Sequence, residues 1–186
     1  MTDAITIERY GQGLSWDGYL ATVQANKEQF LANFQEFEVA AEDRAFFTSL
    51  AARRGPLHVL AIGEDWCPDV IANLPIVAKL CQTLGLDLRI FPRDQNLDIM
   101  NRYLNQGVYM SIPVIVFFDR DMNELGHWIE RSAAAIAFMG RLRDDIAALG
   151  LAEEAARAER GRRVTQAYRE SLRGETMREL RELLAA

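Results

Sequence analysis

The sequence predicts an α/β fold in which helices flank a mixed central sheet of about four strands, with helical extensions at both ends. Three observations predict it. Nearly continuous apolar runs lie at residues 57–62 and 114–118, and apolar residues alternate with polar ones at 86–90, and both patterns are typical of strands. Segments with helical spacing separate these runs, which is the pattern of an α/β core. Turn-forming residues at 119–123 then lead into a hairpin partner, which supplies the fourth strand.

Residues 15–54 are predicted to form two helices ahead of the first strand. Ser15 is suited to cap the first helix, and phenylalanines at helical spacing mark the buried faces of both. The second helix is predicted to end at Gly55-Pro56, because a glycine followed by a proline cannot continue a helix. Residues 1–55 are therefore expected to be a helical extension packed on the core.

Residues 56–150 are predicted to be the central domain. Its elements, in order, are a strand at 57–62, a helix from Pro68 to about Thr83 with a kink at Pro75 and a stop at Gly85, a strand at 86–90, a helix at 94–107, strands at 114–118 and 124–130, and a helix that Ser132 caps and that ends near Gly150. The crossovers before the hairpin are expected to join parallel strands.

Residues 151–186 are predicted to form a helical C-terminal arm. This segment is rich in Ala, Glu and Arg, and Gly161 and Gly174 are expected to divide it into two or three helices. Its modest apolar stripe consists of Val164, Tyr168, Leu172, Met177, Leu180 and Leu184. A solvated helix of mixed charge is the first interpretation, and a homodimer contact through these helices is the second.

Composition excludes several functional classes. A net charge of −6 argues against nucleic acid or an anionic membrane as a partner, because both bind basic surfaces. No apolar run approaches ~18 residues, and no secretory signal is visible, so a cytoplasmic protein with reduced thiols is expected. Cys67 and Cys81 lie on one predicted helix roughly 20 Å apart, too far for a disulfide. Two Cys and two His that are scattered along the chain predict no metal site.

The most informative motif is Trp66-Cys67-Pro68-Asp69, which follows the first apolar strand and opens a helix. A cysteine at a helix N-terminus faces unpaired backbone N–H groups and the positive end of the helix dipole, and both favour the thiolate. We therefore expect Cys67 to be exposed and to be the catalytic residue. Trp66 is expected to pack beside it and to shield one side.

Residues 56–150 resemble the thioredoxin fold by several features in register. These are Trp66-Cys67 after an apolar strand, Pro75 within the following helix, Ile112-Pro113 at the start of the next central strand, and Gly126 in the last strand. The Glu64-Asp65-Trp66-Cys67 run and the N-terminal helices are most similar to a poorly characterised bacterial subgroup of thioredoxin-like proteins with E-D-W-C-x-D at the active site. The resemblance covers roughly residues 15–140.

The resemblance implies a substrate groove and also two departures from the usual chemistry. Ile112 would offer its backbone N–H and C=O to an extended peptide or a thiol adduct, and Pro113 would be a cis-proline lying against the Cys67 sulfur. The resolving cysteine of thioredoxins falls on Val70 in this chain, and their buried acid falls on Ala61. Neither an internal disulfide nor that proton acceptor is therefore available.

Three acids surround the cysteine in the sequence, and we interpret Glu64, Asp65 and Asp69 as modulators of its charge. A carboxylate in the first turn favours the helix but opposes a nearby thiolate, so the acids and the helix dipole act against each other. The histidines, His58 and His127, lie on predicted strands, which favours a structural role for them over a Cys–His pair.

The sequence therefore supports two functions. The first is monothiol thiol–disulfide exchange, in which Cys67 attacks a protein or low-molecular-weight disulfide and an external thiol such as glutathione resolves the product. The second is a redox-inert module that binds an extended peptide or a partner protein in the same groove. No bound cofactor is expected in either case.

Overall fold

The computed structural model describes residues 5–185, so residues 1–4 and 186, at the outer ends of the predicted extension and arm, lie outside the described residues. In chain order the elements are α1 (Ile7–Tyr10), α2 (Trp16–Thr22), α3 (Lys27–Glu36), α4 (Ala41–Arg54), β1 (His58–Gly63), α5 (Pro68–Leu84), β2 (Asp87–Pro92), a 3₁₀ turn (Arg93–Gln95), α6 (Leu97–Met100), β3 (Val114–Phe118), β4 (Glu124–Ile129), α7 (Ala133–Ala148), α8 (Glu153–Ala167), a π-helical segment (Tyr168–Leu172) and α9 (Arg173–Ala185).

The four strands form one mixed sheet in the order β2-β1-β3-β4. β1 and β2 are parallel, β3 is antiparallel to β1, and β4 is antiparallel to β3. The predicted parallel crossover into β3 is therefore wrong. The segment after β2 contains short helices and does not run back along the sheet. The chain therefore re-enters the sheet at the same end at which β1 and β2 finish. Ile62 at the end of β1 consequently pairs with Val114 at the start of β3.

Three helices, rather than the predicted two, occupy residues 15–54. Ser15 caps α2 as predicted, accepting a hydrogen bond from the Gly18 N–H at 3.1 Å. The chain then leaves the helical path, and Asn26 adopts a φ of 62° in the left-handed region. Phe30 and Phe47 are both fully buried, so α3 and α4 cover the core as the phenylalanine pattern predicted.

The helix predicted at residues 94–107 is wrong beyond its first part. The 3₁₀ turn and α6 end at Met100, and the chain then turns so that Asn105 pairs with Tyr109. Gln106 and Gly107 both have positive φ, at 54° and 72°, which an α-helix cannot contain. The apolar spacing correctly predicted a buried side chain at Met100, but the segment that buries such side chains is largely a loop packed on the core.

The helix that follows the cysteine is supported from two sides. Pro75 lies inside α5 and has no N–H, so the carbonyl of Ile71 one turn earlier lacks its helical donor. The Asn33 side chain of α3 supplies that donor, with Nδ2 at 2.7 Å from the Ile71 oxygen. The Arg173 guanidinium in turn donates to Asn33 Oδ1 at 2.6 Å. A proline in this helix is therefore tolerated because the N-terminal extension and the C-terminal arm both compensate for it.

The C-terminal arm packs against the core. Gly161 and Gly174 lie inside α8 and α9 and do not divide the helices as predicted. Leu180 of α9 is fully buried, and a Cβ at Gly126 of β4 would lie 2.9 Å from Cγ of Leu183, so the arm closes tightly over β4. The apolar stripe of α9 thus packs against the core of the same chain. A dimer contact through the arm remains a prediction. Within residues 5–185 no helix has both the length and the apolar character needed to cross a membrane.

Candidate functional site

The turn after β1 places Cys67 at the first position before α5. Gly63 ends the strand, and a Cβ there would lie 2.8 Å from Cγ1 of Val70, so only glycine fits without a shift. The Cys67 N–H donates to the Glu64 carbonyl at 3.2 Å, and Cys67 itself is extended, with φ of −83°. Pro68 occupies the first helical turn, where its missing N–H has no consequence. The sequence prediction that Cys67 stands at a helix N-terminus is confirmed.

The thiol is covered, so the expectation of an exposed sulfur is wrong. Cys67 keeps 8% of its accessible surface. Its Sγ lies 3.6 Å from the carbonyl oxygen of Ile112, at a distance that fits a weak S–H···O hydrogen bond. The start of β3 brings this carbonyl to the sulfur. The resemblance predicted that the Ile112-Pro113 segment lies beside Cys67, but the covering of the thiol was not predicted.

Burial raises the pKa of the Cys67 thiol from its ordinary value of 9.0. The backbone N–H groups of Val70 and Asp69 and the charge of Arg131 lower it, whereas the Asp69 carboxylate raises it. These first-turn N–H groups lie close enough to the sulfur to lower its pKa, but none has the geometry of a capping hydrogen bond. The helix N-terminus therefore does not offset the loss of solvent around the sulfur.

Asp69 forms a partly buried ion pair with Arg131, a residue that the sequence analysis did not identify. Arg131 Nη2 lies 2.5 Å from Asp69 Oδ2 and 2.8 Å from Glu130 Oε1. The Asp69 side chain is 12% exposed, and its burial raises the pKa of the carboxyl even though Arg131 lowers it. Arg131 follows β4 and lies beside α5 because of the tertiary fold. No local sequence pattern could therefore have predicted its contact with Asp69.

The C-terminal arm also reaches this region. Asn73 of α5 is fully buried and donates from Nδ2 to the Asp69 carbonyl at 3.0 Å and to the Tyr168 hydroxyl at 3.3 Å. The Thr176 hydroxyl donates to Asn73 Oδ1 at 2.9 Å. Tyr168, predicted only as part of an apolar stripe, therefore joins a buried polar network that holds the first two turns of α5.

Glu64 and Asp65 make hydrogen bonds that shape the loop. Glu64 Oε1 accepts from the Asp94 N–H at 2.9 Å, and Asp65 Oδ2 accepts from the N–H groups of Gln24 and Ala25 at 2.6 and 2.9 Å. The two acids thus tie the cysteine loop to the end of β2 and to the segment after α2. Neither appears among the principal groups that shift the pKa of Cys67.

Trp66 is 52% exposed, and the Arg93 guanidinium lies over its ring, 5.0 Å from the centroid. The same guanidinium donates to the Met110 carbonyl at 3.4 Å. Met110 and Tyr109 are also exposed, at 41% and 60%. Arg93 thus joins Trp66 to Met110, and Tyr109 precedes Met110 in the chain. We call these three exposed side chains, Trp66, Tyr109 and Met110, the exposed rim.

The Ile112–Pro113 peptide bond is cis. Ile112 is 4% exposed, and Pro113 is buried at the start of β3. Within residues 5–185 the Ile112 N–H has no hydrogen-bond partner, and its carbonyl meets only the thiol of Cys67. A backbone donor and a weakly engaged acceptor at one residue can pair with an extended segment of another chain.

The remaining candidates lie elsewhere. Cys81 is buried in the core of α5, as predicted. His127 pairs with Glu124 of its own strand at 2.7 Å, and His58 lies 3.7 Å from Asp87 of the neighbouring strand, so each histidine faces a carboxylate. In the part of the chain that the structure describes, no group of three His, Cys, Asp or Glu side chains could hold a metal ion.

A family model described as thioredoxin matches residues 13–148. The chain belongs to the thioredoxin family. A crystal structure of a protein of unknown function from Pseudomonas aeruginosa is similar to it, with 14% identity, a TM-score of 0.64, and 95% of this chain and 94% of that chain covered. An HIV epitope-scaffold is similar too, with 17% identity, a TM-score of 0.64 and 96% of each chain covered. At these identities the likeness shows the fold, and its span includes the helical extensions. No curated protein matches the sequence.

Proposed function

We propose that this thioredoxin-family protein binds an extended segment of a partner protein in the groove formed by Trp66, Ile112 and Pro113, and that Cys67 is protonated while it does so. The proposal places the chain with the bacterial thioredoxin-like proteins that carry E-D-W-C-x-D, here residues 64–69. It also places the protein in the cytoplasm, where its thiols stay reduced.

The proposal rests on the hydrogen bonding of the Ile112 backbone and the Cys67 thiol. The Ile112 N–H has no partner within the described residues, and the Cys67 thiol lies against the Ile112 carbonyl at 3.6 Å. An S–H group is a weak donor, so a peptide N–H can replace it at the carbonyl. Burial favours the neutral thiol, which is the form compatible with such a contact.

Monothiol exchange is the second candidate, and the position of Cys67 before α5, with Arg131 lowering its pKa, favours it. The Cys67 thiolate would attack one sulfur of a disulfide R–S–S–R′, forming Cys67–S–S–R and releasing R′S⁻. An external thiolate, from glutathione or a protein, would attack the R sulfur and release the Cys67 thiolate. Electrons then balance without a cofactor, and no resolving cysteine at position 70 is needed.

The deciding measurement is the alkylation rate of Cys67 against pH, with the Cys67→Ser variant as blank. Cys81 is fully buried and should not contribute. The binding proposal predicts a rate that rises only near and above pH 9, slower than that of free cysteine at pH 7. A half-maximal rate near or below pH 7 would instead establish the exchange reaction as the better account.

Binding is tested with peptides selected on the purified protein by phage display. A selected peptide should bind Cys67→Ser within twofold of the unmodified chain and should bind Trp66→Ala at least tenfold more weakly. Ile7→Ala is the matched control, because Ile7 is 48% exposed but lies beside the β3–β4 turn, at the other end of β3. Loss of binding in Cys67→Ser with retention in Trp66→Ala would contradict the proposal.

A further inference from the structure

A cleft of about 390 Å³ lies between α2, the end of β2 and the loop that follows β1. Its size is that of a site for a small molecule. The walls combine the polar side chains of Tyr19, Glu64 and Asp65 with apolar side chains from three segments, namely Leu14, Val23 and Pro92. None of the described residues that line it is a lysine, an arginine or a histidine.

Tyr19 is the least satisfied side chain of this cleft. It is 3% exposed, and its hydroxyl has no hydrogen-bond partner within residues 5–185. A buried hydroxyl without a hydrogen-bond partner lowers stability, so folded proteins seldom contain one. Tyr19 lines the same cleft as Asp65 and Glu64, and burial and then the charges of these two acids raise the pKa of its phenol.

The two acids are fixed in place and keep free oxygens. Glu64 uses Oε1 to accept from Asp94, and Asp65 uses Oδ2 to accept from two N–H groups, those of Gln24 and Ala25. Within the described residues, Glu64 Oε2 and Asp65 Oδ1 accept no hydrogen bond. Two carboxylate oxygens and one phenolic oxygen therefore remain available as acceptors around one cleft, with a net charge of about −2 and no cation among its lining residues.

The chemistry of this set selects one class of ligand. Calcium needs 6–8 oxygen ligands, and two carboxylates with one phenol do not provide them. A primary ammonium group carries three N–H donors, which equals the number of free acceptors. The apolar side chains of Leu14, Val23 and Pro92 can cover a short alkyl chain attached to it. We propose that the cleft binds a primary alkylammonium compound, whose nitrogen donates to Tyr19, Glu64 and Asp65.

The test uses n-butylammonium chloride as the probe, with n-butanol and sodium butyrate as neutral and anionic counterparts. Binding is followed by the backbone amide resonances of residues 19, 24, 25, 64 and 65 during titration at low salt. Butylammonium should give saturable shifts, and butanol and butyrate should each bind at least tenfold more weakly. Equal shifts from butylammonium and butanol, or no saturable shift from butylammonium, would overturn the proposal.

Three variants test the acceptors. Glu64→Gln and Asp65→Asn keep an oxygen for the backbone hydrogen bonds and remove the charge, so each should weaken butylammonium binding about tenfold. Tyr19→Phe should weaken it about threefold while leaving the protein at least as stable, because the hydroxyl it removes has no partner. Loss of binding in this variant therefore cannot be attributed to unfolding.

Matched controls come from exposed positions elsewhere. Glu154→Gln on α8 and Tyr109→Phe on the loop after α6 remove the same groups outside the cleft and should change binding less than twofold. Cys67→Ser should also leave it unchanged, which separates this site from the groove proposed above. Unaltered binding in both Glu64→Gln and Asp65→Asn would show that the carboxylates do not hold the probe, and the assignment would fail.

Discussion

The two sides of Cys67 differ in solvent exposure and in charge. On one side, the exposed rim of Trp66, Tyr109 and Met110 is apolar and open to solvent. On the other, Asp69 and its neighbours form a buried polar side, which we define as Asp69, Asn73, Arg131, Tyr168 and Thr176. The rim comes from loops of the central domain, whereas the buried polar side includes two residues of the C-terminal arm.

Separate parts of the molecule therefore control the access of partners to the Cys67 sulfur and the charge around that sulfur. The rim contributes no group that appears among the causes of the shifted Cys67 pKa, while Asp69 and Arg131 both do. Changes at the rim should therefore alter binding without altering the thiol. Changes on the buried polar side should alter the thiol and the stability of the fold together.

The largest effect is expected at Asn73. Asn73→Leu keeps the volume of a fully buried side chain and removes its hydrogen bonds to the Tyr168 and Thr176 hydroxyls. The Tyr168 hydroxyl would lose its partner, whereas the Thr176 hydroxyl keeps the Leu172 carbonyl at 3.2 Å. One unpaired buried hydroxyl should lower the free energy of unfolding by about 2 kcal/mol, measured by urea denaturation. Amide hydrogen exchange should rise in the arm at the same time, because Asn73 joins the arm to α5.

The control is Asn101→Leu, which removes an exposed asparagine after α6 and should change the free energy of unfolding by less than about 0.5 kcal/mol. If the two variants were equally stable, the hydrogen bonds of Asn73 would not hold the arm against α5.

A smaller effect, on charge, is expected at Asp69. The Asp69 carboxylate raises the pKa of Cys67, and Arg131 lowers it. Asp69→Asn removes the first influence and keeps the second, so the Cys67 pKa should fall and the thiolate fraction below pH 8 should rise. Alkylation of Cys67 at pH 7.5 should therefore be faster, and Asp145→Asn on the exposed face of α7 should leave it unchanged.

The same variant has a defined pH signature. Burial raises the folded pKa of Asp69 above 3.8, so the native state binds the extra proton between the two values. The free energy of unfolding of the unmodified chain, relative to Asp69→Asn, should therefore be highest below pH 3.8, fall as the pH rises through the folded pKa, and then level off. If the relative free energy of unfolding instead rose towards pH 7, the ion pair with Arg131 would lower the Asp69 pKa by more than burial raises it.

The sequence predicted the elements whose cause is local. Apolar runs predicted β1 to within one residue and β3 with its observed bounds, and apolar–polar alternation predicted β2 to within two residues. Ser132 was predicted to cap α7 and does so, accepting from the Ala135 N–H at 3.2 Å. The cysteine was placed at the start of α5 because a proline in the first helical turn is a local signal.

The features that were missed depend on distant parts of the chain. Arg131 lies 62 residues from Asp69, and Tyr168 lies 95 residues from Asn73, so no spacing pattern connects them. The burial of Cys67 depends on the direction in which β3 enters the sheet, and the apolar runs do not encode that direction. The helix predicted at 94–107 failed for a related reason: apolar spacing records which side chains are buried, and a loop folded onto the core buries them too.

Trp66→Ala is expected to have the smallest effect on stability and on the thiol, although it should weaken peptide binding, and this contrast separates the two sides. Trp66 is 52% exposed and contacts Arg93, whose guanidinium also bonds the Met110 carbonyl. A cation–π contact at an exposed site is worth about 0.5–1 kcal/mol, so the free energy of unfolding should fall by no more than that. The pH profile of Cys67 alkylation should keep its midpoint, because no charge near the sulfur changes. A shifted midpoint in Trp66→Ala would show that the rim also sets the electrostatics of the thiol, and access and charge would then no longer be separable in this site.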